Sequence, residues 1–514
     1  MLSHPQWIKS PQSTNDWLRI IIALGIIALI LGRLTETMAD PDLWGYMSFG
    51  RLFWTTAGFP YQDIFSYTPT KTLWVYHEWL TGVFFYPIYQ YLGAAGIQAL
   101  KYILGLGTAF LIYQTARIRG AQAPAAVFGL LLISPFFSFA YSPLRAQAFT
   151  NLFFVLTFYL LETSKQKRRY NALWWLVPLY LLWANLHGGF VAGLGMIGLF
   201  ALGELISRQP SKPYWLILAP ATFVTLINPY GLRYWTYLKD ALTMPRPDID
   251  EWHSVFFALQ KGEFSANILM FLILTILAFL MLITARRHSF SDILLLLVTS
   301  CLAFAHVRHQ SVFFIVMGCC GPLYFTRAWE SIRYSAVLTD RWKKPLSALT
   351  GLLFLFIFFF FGARFIAGHP LDITFGNAAQ RQASDYNYPV GAVEFLRKHD
   401  LQGNILTEFS WGEYIIWSLP GSRVAMDGRY ETIYTETSSR EYFEFSRGGT
   451  GWRDYLGKYP HELILFRRES TVTALLREES RWKLIYSDGD CVLFQKKEAA
   501  LIPTRGEAVK KPHR

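Results

Sequence analysis

Charge and cysteine are both scarce in this chain of 514 residues, of which 16% are charged and four are cysteine. Soluble domains carry about a quarter charged residues, so most of this sequence is not built to face water. Cys301, Cys319 and Cys320 lie inside apolar segments and Cys491 stands alone near the C-terminus, which excludes a disulfide framework or a thiolate metal site. No Walker loop, dinucleotide fingerprint or Gly-x-Ser-x-Gly elbow occurs, so phosphate-loop, nicotinamide and serine-hydrolase chemistries have no sequence support. Two matching half-repeats are also missing, and with them the signature of an inverted-repeat transporter. The first apolar run, Ile20 to Gly32, lies between Arg19 and Arg33 with no small-residue cleavage site after it, and so reads as a retained span.

What is present is apolar: 53% hydrophobic and 17% aromatic residues. At about 20 apolar residues per crossing, candidate spans fall at 18–34, 97–116, 123–140, 147–162, 171–186, 189–206, 214–229, 266–284, 290–305, 311–326 and 346–363, about eleven in all. The formal charge of +12 does not point to nucleic acid, because Lys and Arg lie in short clusters between the apolar runs. Arg117/Arg119, Lys165/Lys167/Arg168/Arg169, Arg208/Lys212, Arg286/Arg287 and Arg341/Lys343/Lys344 share one side if 79–92, which contains Pro87, is a juxtamembrane helix rather than a span. This predicts a multi-pass protein of the cell inner membrane, with a cytoplasmic N-terminus and the C-terminal region outside.

After Arg364 the long apolar runs give way to short alternating elements. Helices are expected at 390–399, 411–418 and 470–479, and strands at 404–407, 423–426, 462–466, 482–487 and 490–496. The fold class is therefore an α-helical polytopic membrane protein with a C-terminal extracytoplasmic α/β domain. The expected division is a membrane domain over 1–364, including a first outer loop at 35–96, an α/β domain over 365–504, and a disordered tail over 505–514.

With this topology the polar residues that interrupt apolar sequence gather on the outer face, where an ionisable group near membrane depth signals function. Asp40 and Asp42 of Asp40-Pro41-Asp42 suit a general base and a ligand to a hard divalent cation, Mg2+ or Mn2+, although two carboxylates alone make a weak metal site. The same three residues also suit a helix start, with Asp as cap and Pro in the first turn. His77 and Glu78 precede the juxtamembrane helix, where an interfacial anchor accounts for Trp79 better than for either of them. Arg145 lies in a tight outer turn, and its planar fork fits phosphate or a lipid headgroup. Asn185 and His187, beside Gly188 and Gly189, can hydrogen-bond a hydroxyl-rich substrate, while the glycines are equally explained by helix packing. Asn228, Glu251, His306 and Arg308 complete the set, the last two fitting an anionic ligand or snorkelling to the interface.

An acidic pair in the first outer loop, a juxtamembrane helix in that loop, many spans with short loops and an outer α/β domain together resemble the GT-C superfamily of glycosyltransferases. Asp40-Pro41-Asp42-Leu43-Trp44, Trp183-Ala184-Asn185-Leu186-His187-Gly188-Gly189 and Asn228-Pro229-Tyr230-Gly231 resemble a group of bacterial glycosyltransferase-like membrane proteins. The resemblance implies a polyprenyl-phosphate-linked sugar donor, an extracytoplasmic acceptor, Asp40 or Asp42 as base or metal ligand, and Arg145, His306 or Arg308 on the donor phosphate. Ser410-Trp411-Gly412-Glu413-Tyr414, followed by Asp427-Gly428-Arg429, is similar to the Trp-Trp-Asp-Tyr-Gly region of the oligosaccharyltransferase catalytic subunit. That similarity makes Trp411 and Tyr414 acceptor contacts, against core packing as the plainer account. The second Trp and the Asp-Tyr-Gly order are missing, which argues against asparagine-linked transfer. A polymer ligase or phosphoglycosyl transferase, and a transporter or assembly scaffold, are the rival readings, and few charges at mid-span favour an enzyme.

Overall fold

The computed structural model describes residues 14–141, 144–244, 246, 249–284, 289–333, 343–375 and 388–497. Ser142, Pro143, the Arg286/Arg287 pair, Arg341 and the tail expected at 505–514 lie outside the described residues. The chain divides into two compact units, one made of Met1–Met38 with Pro87–Ile373 and the other of Ala39–Tyr86 with Thr374–Arg514.

The first unit is helical. Its elements are α1 (Thr14–Arg33), most of α3 (Trp79–Ile118), α4 (Ala123–Ile133), α5 (Pro135–Tyr141), α6 (Gln147–Lys167), α7 (Leu176–Leu186), α8 (Phe190–Ile206), α9 (Lys212–Phe223), α10 (Leu232–Thr243), α11 (Val255–Gln260), α12 (Ala266–Thr284), α13 (Phe290–Ala305), α14 (Gln310–Arg333) and α15 (Lys343–Ala367). Every expected span coincides with one of these helices or a broken pair. By length and composition, four helices among the described residues can cross a membrane, Trp79–Ile118, Ala266–Thr284, Val307–Ala328 and Pro345–Ala367, and the α4–α5 pair, bent by 52°, would make a fifth. The other expected spans are shorter or interrupted. The one at 171–186 is a 3-10 turn, Tyr170–Trp175, followed by α7, and the one at 214–229 breaks into a 3-10 turn after Phe223. Inner helices covered by their neighbours have no need to match the bilayer thickness singly. The 79–92 segment is helical and joins the 97–116 span in α3, with one break at Gly93, whose φ of 61° suits a residue without a Cβ.

Small residues set the helix spacing here. A Cβ on Gly25 would lie 2.8 Å from the Phe354 ring and one on Gly32 2.6 Å from the Phe361 ring, so α1 packs closely on α15. On α12 and α15, Phe279, Phe356 and Phe359 remain exposed, as side chains facing lipid would be.

In the second unit, β1 (Asn404–Thr407), β2 (Arg423–Val424), β3 (Leu463–Arg467), β4 (Trp482–Ser487) and β5 (Cys491–Lys496) form one sheet in the order β2-β1-β3-β5-β4. β1 runs parallel to β2 and β3, while β5 is antiparallel to β3 and β4. The helices are α2 (Pro41–Thr55), α16 (Val390–Lys398), α17 (Gly412–Ser418), α18 (Tyr430–Ile433), α19 (Glu436–Ser446), α20 (Trp452–Lys458) and α21 (Thr471–Glu478). Residues of the first loop finish the sheet. Val424 donates to the Phe65 carbonyl at 2.9 Å, Tyr67 donates to the Val424 carbonyl at 3.2 Å, and Thr68 donates to the Ala425 carbonyl at 2.6 Å, so the exposed edge of β2 is covered.

Candidate functional site

The sequence Asp40-Pro41-Asp42 opens α2 as a helix start should. Asp40 is the N-cap, its Oδ1 accepts the Asp42 N–H at 3.0 Å, and Pro41 supplies its fixed φ to the first turn. Asp40 is fully buried, whereas Asp42 is half-buried in the same first turn. A Cβ built on Gly428 would lie 3.0 Å from Asp42 Oδ1 and 3.2 Å from Glu413 Oε1, so both carboxyl groups face one point of the backbone between Asp427 and Arg429. Glu413, on the first turn of α17, accepts the Gly45 N–H through Oε2 at 3.1 Å. Burial first, and then the charges of Asp42 and Asp427, push the Glu413 carboxyl well above the usual range against the opposing pull of Arg429.

Arg429 anchors the floor of this site. It pairs with Asp427 through Nε at 2.9 Å and Nη2 at 2.6 Å, donates through Nη1 to Asp63, and lies over the rings of Phe65 and Trp74 at 5.0 and 5.1 Å. Asp63 accepts the Ser66 N–H at 2.9 Å, and the Ser66 and Tyr434 hydroxyls are 2.8 Å apart. Burial would raise the Asp63 carboxyl, but the Arg429 charge and its hydrogen bond bring it below its ordinary value. His77 and Glu78 are half-buried with Nε2 and Oε1 3.6 Å apart. Burial raises the pKa of the Tyr46 hydroxyl, and the charges of Glu78 and Asp42 raise it further.

Trp411 and Tyr414 flank Glu413 in sequence but are themselves packed away. Tyr414 lies in an aromatic box with Trp44, Phe375 and Tyr388, at centroid distances of 5.6, 5.7 and 4.9 Å. Trp411 lies under the Arg467 guanidinium at 5.5 Å. The acid between the two aromatic residues is the one that, with Asp42, faces Gly428.

A second group lies in the helical unit. Glu251 accepts from Arg145 at 2.9 Å through one oxygen and pairs with Arg308 at 3.3 Å through the other. Trp252 beside it has Arg246 at 4.1 Å and Arg308 at 4.4 Å from its ring centroid, and its carbonyl is 2.7 Å from His306 Nδ1. Burial would raise the Glu251 carboxyl, but Arg308 and then Arg145 lower it to about 2, so it is ionised at any physiological pH. Two guanidiniums on one carboxylate, with a third over the neighbouring Trp252 ring, leave an excess of positive charge, the property an anion site needs.

Other expected residues take local roles. Asn185 donates to the Leu181 and Ile227 carbonyls at 2.8 and 3.0 Å. Asn228 donates to the Thr225 carbonyl at 2.7 Å and accepts the Tyr230 N–H at 2.8 Å, fixing the turn before α10. His187 Nδ1 accepts the Gly189 N–H at 2.9 Å and is 2.8 Å from the Thr150 hydroxyl, which also takes the Trp183 indole N–H at 2.8 Å.

For a metal ion, one group among the described residues brings three donors within 4.8 Å of one another, and it is Asp250, His253 and Glu263 of the helical unit. Asp40 and Asp42 are not part of such a set among the described residues. A buried ionic network was not anticipated by the sequence reading. Arg119 pairs with Glu162 and with Asp292 at 2.6 Å, Tyr324 donates to Asp292 at 3.0 Å, and Lys165 pairs with Glu204 at 2.6 Å. These charged groups lie at the ends of α3, α6, α8 and α13, so they tie helix ends and do not line a path along mid-span.

No protein-family model and no curated protein sequence matches the chain. Solved structures do match in fold. The oligosaccharyltransferase of Archaeoglobus fulgidus in its apo form superposes with a TM-score of 0.55 at 10% identity, over 96% of this chain and 76% of that one. The same enzyme tethered with an acceptor peptide containing the NVT sequon gives 0.53 at 11% identity, over 88% and 69%. An arabinofuranosyltransferase from Mycobacteria gives 0.51 at 12% identity, covering 95% of this chain but 40% of that one. The chain shares its overall fold with these solved structures, and four of its helices among the described residues are long and apolar enough to cross a membrane.

Proposed function

We propose that the protein transfers a sugar from a polyprenyl-phosphate carrier to an acceptor on the outer side of the cell inner membrane. The observation that carries this reading is the division of labour within Asp40-Pro41-Asp42. Asp40 is buried and caps the helix through Oδ1, and Asp42 is half-buried in the first turn with its carboxylate facing Gly428, the more accessible of the two to an acceptor proton. In the reaction the acceptor hydroxyl gives its proton to Asp42 and its oxygen bonds to the sugar C1. The bond from C1 to the phosphate oxygen breaks, and its electron pair leaves with the polyprenyl phosphate. Within the helical unit, Arg145 and Arg308, with Arg246 and His306 beside them, form a cluster of fixed positive charge of the kind that suits a polyprenyl phosphate. The fold supports the reading, since it is shared with two enzymes whose names are those of glycosyl transferases. Transport gains nothing from the buried network, which sits at helix ends. The sugar and the acceptor follow from a direct test, mass spectrometry of the lipid carriers that accumulate in a deletion strain. Accumulation of one glycosylated polyprenyl phosphate, reproduced by Asp42→Asn, supports the proposal, and an unchanged lipid-carrier profile refutes it.

A further inference from the structure

Helix α2 carries Asp42, and α17 of the C-terminal sheet domain is its docking partner within the same unit. Three kinds of contact hold them together. Arg51 donates to the Trp417 and Ile416 carbonyls at 3.0 Å each, in the last turn of α17, where carbonyls have no partner within the helix. Its guanidinium lies 4.6 Å from the Trp417 ring centroid, and Trp44 stacks on the same ring at 6.3 Å. The third contact is of another kind. Glu413 reaches the Gly45 N–H, and Gly45 stands three residues after Asp42, on the same helix face.

Arg51 and the aromatic box already supply docking, and a buried carboxyl is a costly addition to such a contact. Its geometry is specific. A Cβ at position 45 would come within 2.5 Å of Glu413 Oε2, so the approach depends on glycine there. The second oxygen of Glu413 and Asp42 Oδ1 both face Gly428, where again a Cβ would crowd both groups. One carboxyl group thus holds the Gly45 N–H near the start of α2 with one oxygen and, like the Asp42 carboxylate, faces Gly428 with the other.

We propose that Glu413 is a positioning residue for Asp42, fixing the N-terminal part of α2 and the Asp42 carboxylate from the C-terminal domain, with Gly45 and Gly428 keeping the space this needs. This rests on the reading of Asp42 as the base. It gives the C-terminal domain a part in forming the reaction centre, apart from any part in binding an acceptor. Misplacing a reacting group by about 1 Å costs on the order of 100-fold in rate, which sets the size of the effect.

The test uses the full-length protein in nanodiscs, with transfer of radiolabel from the extracted lipid-linked sugar pool as the rate and undecaprenyl phosphate as the binding probe. Glu413→Ala is expected to lower kcat by about 100-fold with undecaprenyl-phosphate affinity unchanged. Glu413→Gln, which retains an acceptor for the Gly45 N–H, is expected to restore most of that loss. Gly428→Ala leaves both carboxyl groups in the chain and is expected to lower kcat by about 10-fold or more through crowding alone. Should Glu413→Ala fail to reach the membrane, the Gln and Gly428 variants decide. Full rate in Gly428→Ala and in any Glu413 variant that accumulates overturns the positioning role, and so does a Gln variant as inactive as Ala. Asp42→Asn run in parallel separates the two claims, because retained transfer there removes the base itself and the parent reading with it.

Discussion

The Tyr67 hydroxyl and His461 Nδ1 are 2.7 Å apart, and His461 Nε2 lies 3.3 Å from the Tyr455 carbonyl. Nε2 therefore carries the proton and donates to Tyr455, while Nδ1 accepts from Tyr67, so the ring is neutral and satisfied. Burial lowers its pKa to about 4. Because the folded value is depressed, the stabilisation is complete above the unfolded value, near 6.5, and is lost as pH falls toward 4. The protection factors of amides in β1 and β3, exchange rates corrected for the intrinsic effect of pH, are expected to fall across that window in the wild type, and the fall to flatten in His461→Gln. Equal pH dependence in both proteins would show that this histidine is not the cause.

The Asp63–Arg429–Asp427 group joins the first loop to the turn after β2, and its three side chains are at most 1% exposed. Removing one member of a buried ion group leaves the others uncompensated, at a cost of about 3–5 kcal/mol. Arg429→Ala is expected to expose the 39–86 loop to protease, and Arg429→Lys to do so nearly as well, since Lys has no fork to hold both carboxylates. Wild-type resistance in the Lys variant would reduce the group to a simple charge contact.

Arg145 and Arg308 each take one oxygen of Glu251. If they also hold the donor phosphate, Lys at either position keeps the charge but removes the bidentate geometry, and the affinity for undecaprenyl phosphate is expected to fall by roughly 10-fold. Unchanged binding in both the Lys and Ala variants would make them lipid-headgroup contacts.

The strands of the second unit were legible because Ile405, Leu406, Leu463, Ile464, Leu465, Val492 and Leu493 form short apolar runs bounded by polar turns. Helix α19 was not, because its buried face consists mainly of Tyr442 and Phe445 amid polar residues, and its start shows only in Thr435 accepting the Ser438 N–H. Asp40 and Asp42 stood out as a pair, yet spacing alone could not tell which was the cap. The importance of Glu413 lay hidden for another reason. Its neighbours Trp411 and Tyr414 drew attention through their size, and the carboxyl gains meaning only from Gly45, which is 368 positions away in the chain. Arg119 and Lys165 read as loop charges because sequence cannot show that Glu162, Glu204 and Asp292 meet them inside the bundle.

Orientation has its own test. The basic clusters share one face when the N-terminus is cytoplasmic, so a reporter active only in the cytoplasm and fused after Arg364 is expected to be silent. Activity of that fusion would reverse the assignment and move the proposed chemistry to the other side of the membrane.

Asn at positions 40 and 42 separates cap from base. Asn caps a helix about as well as Asp, so Asp40→Asn is expected to keep the Asp42 N–H satisfied and to retain transfer. Even Asp40→Ala forfeits only about 1 kcal/mol of capping, which a fold of this size should tolerate. Asp42→Asn has the same shape as the wild type but cannot accept the acceptor proton, and loss of a general base lowers rate by roughly 100-fold or more. Complementation of a deletion strain, with membrane levels compared, is therefore expected to succeed for Asp40→Asn and fail for Asp42→Asn at equal abundance. If the two outcomes are exchanged, Asp40 is the base in spite of its burial. If both variants and the double variant restore full function, neither carboxylate takes the proton, and Glu78 and Glu413 are the carboxyl groups to substitute next, since Asp63 and Asp427 are paired with Arg429.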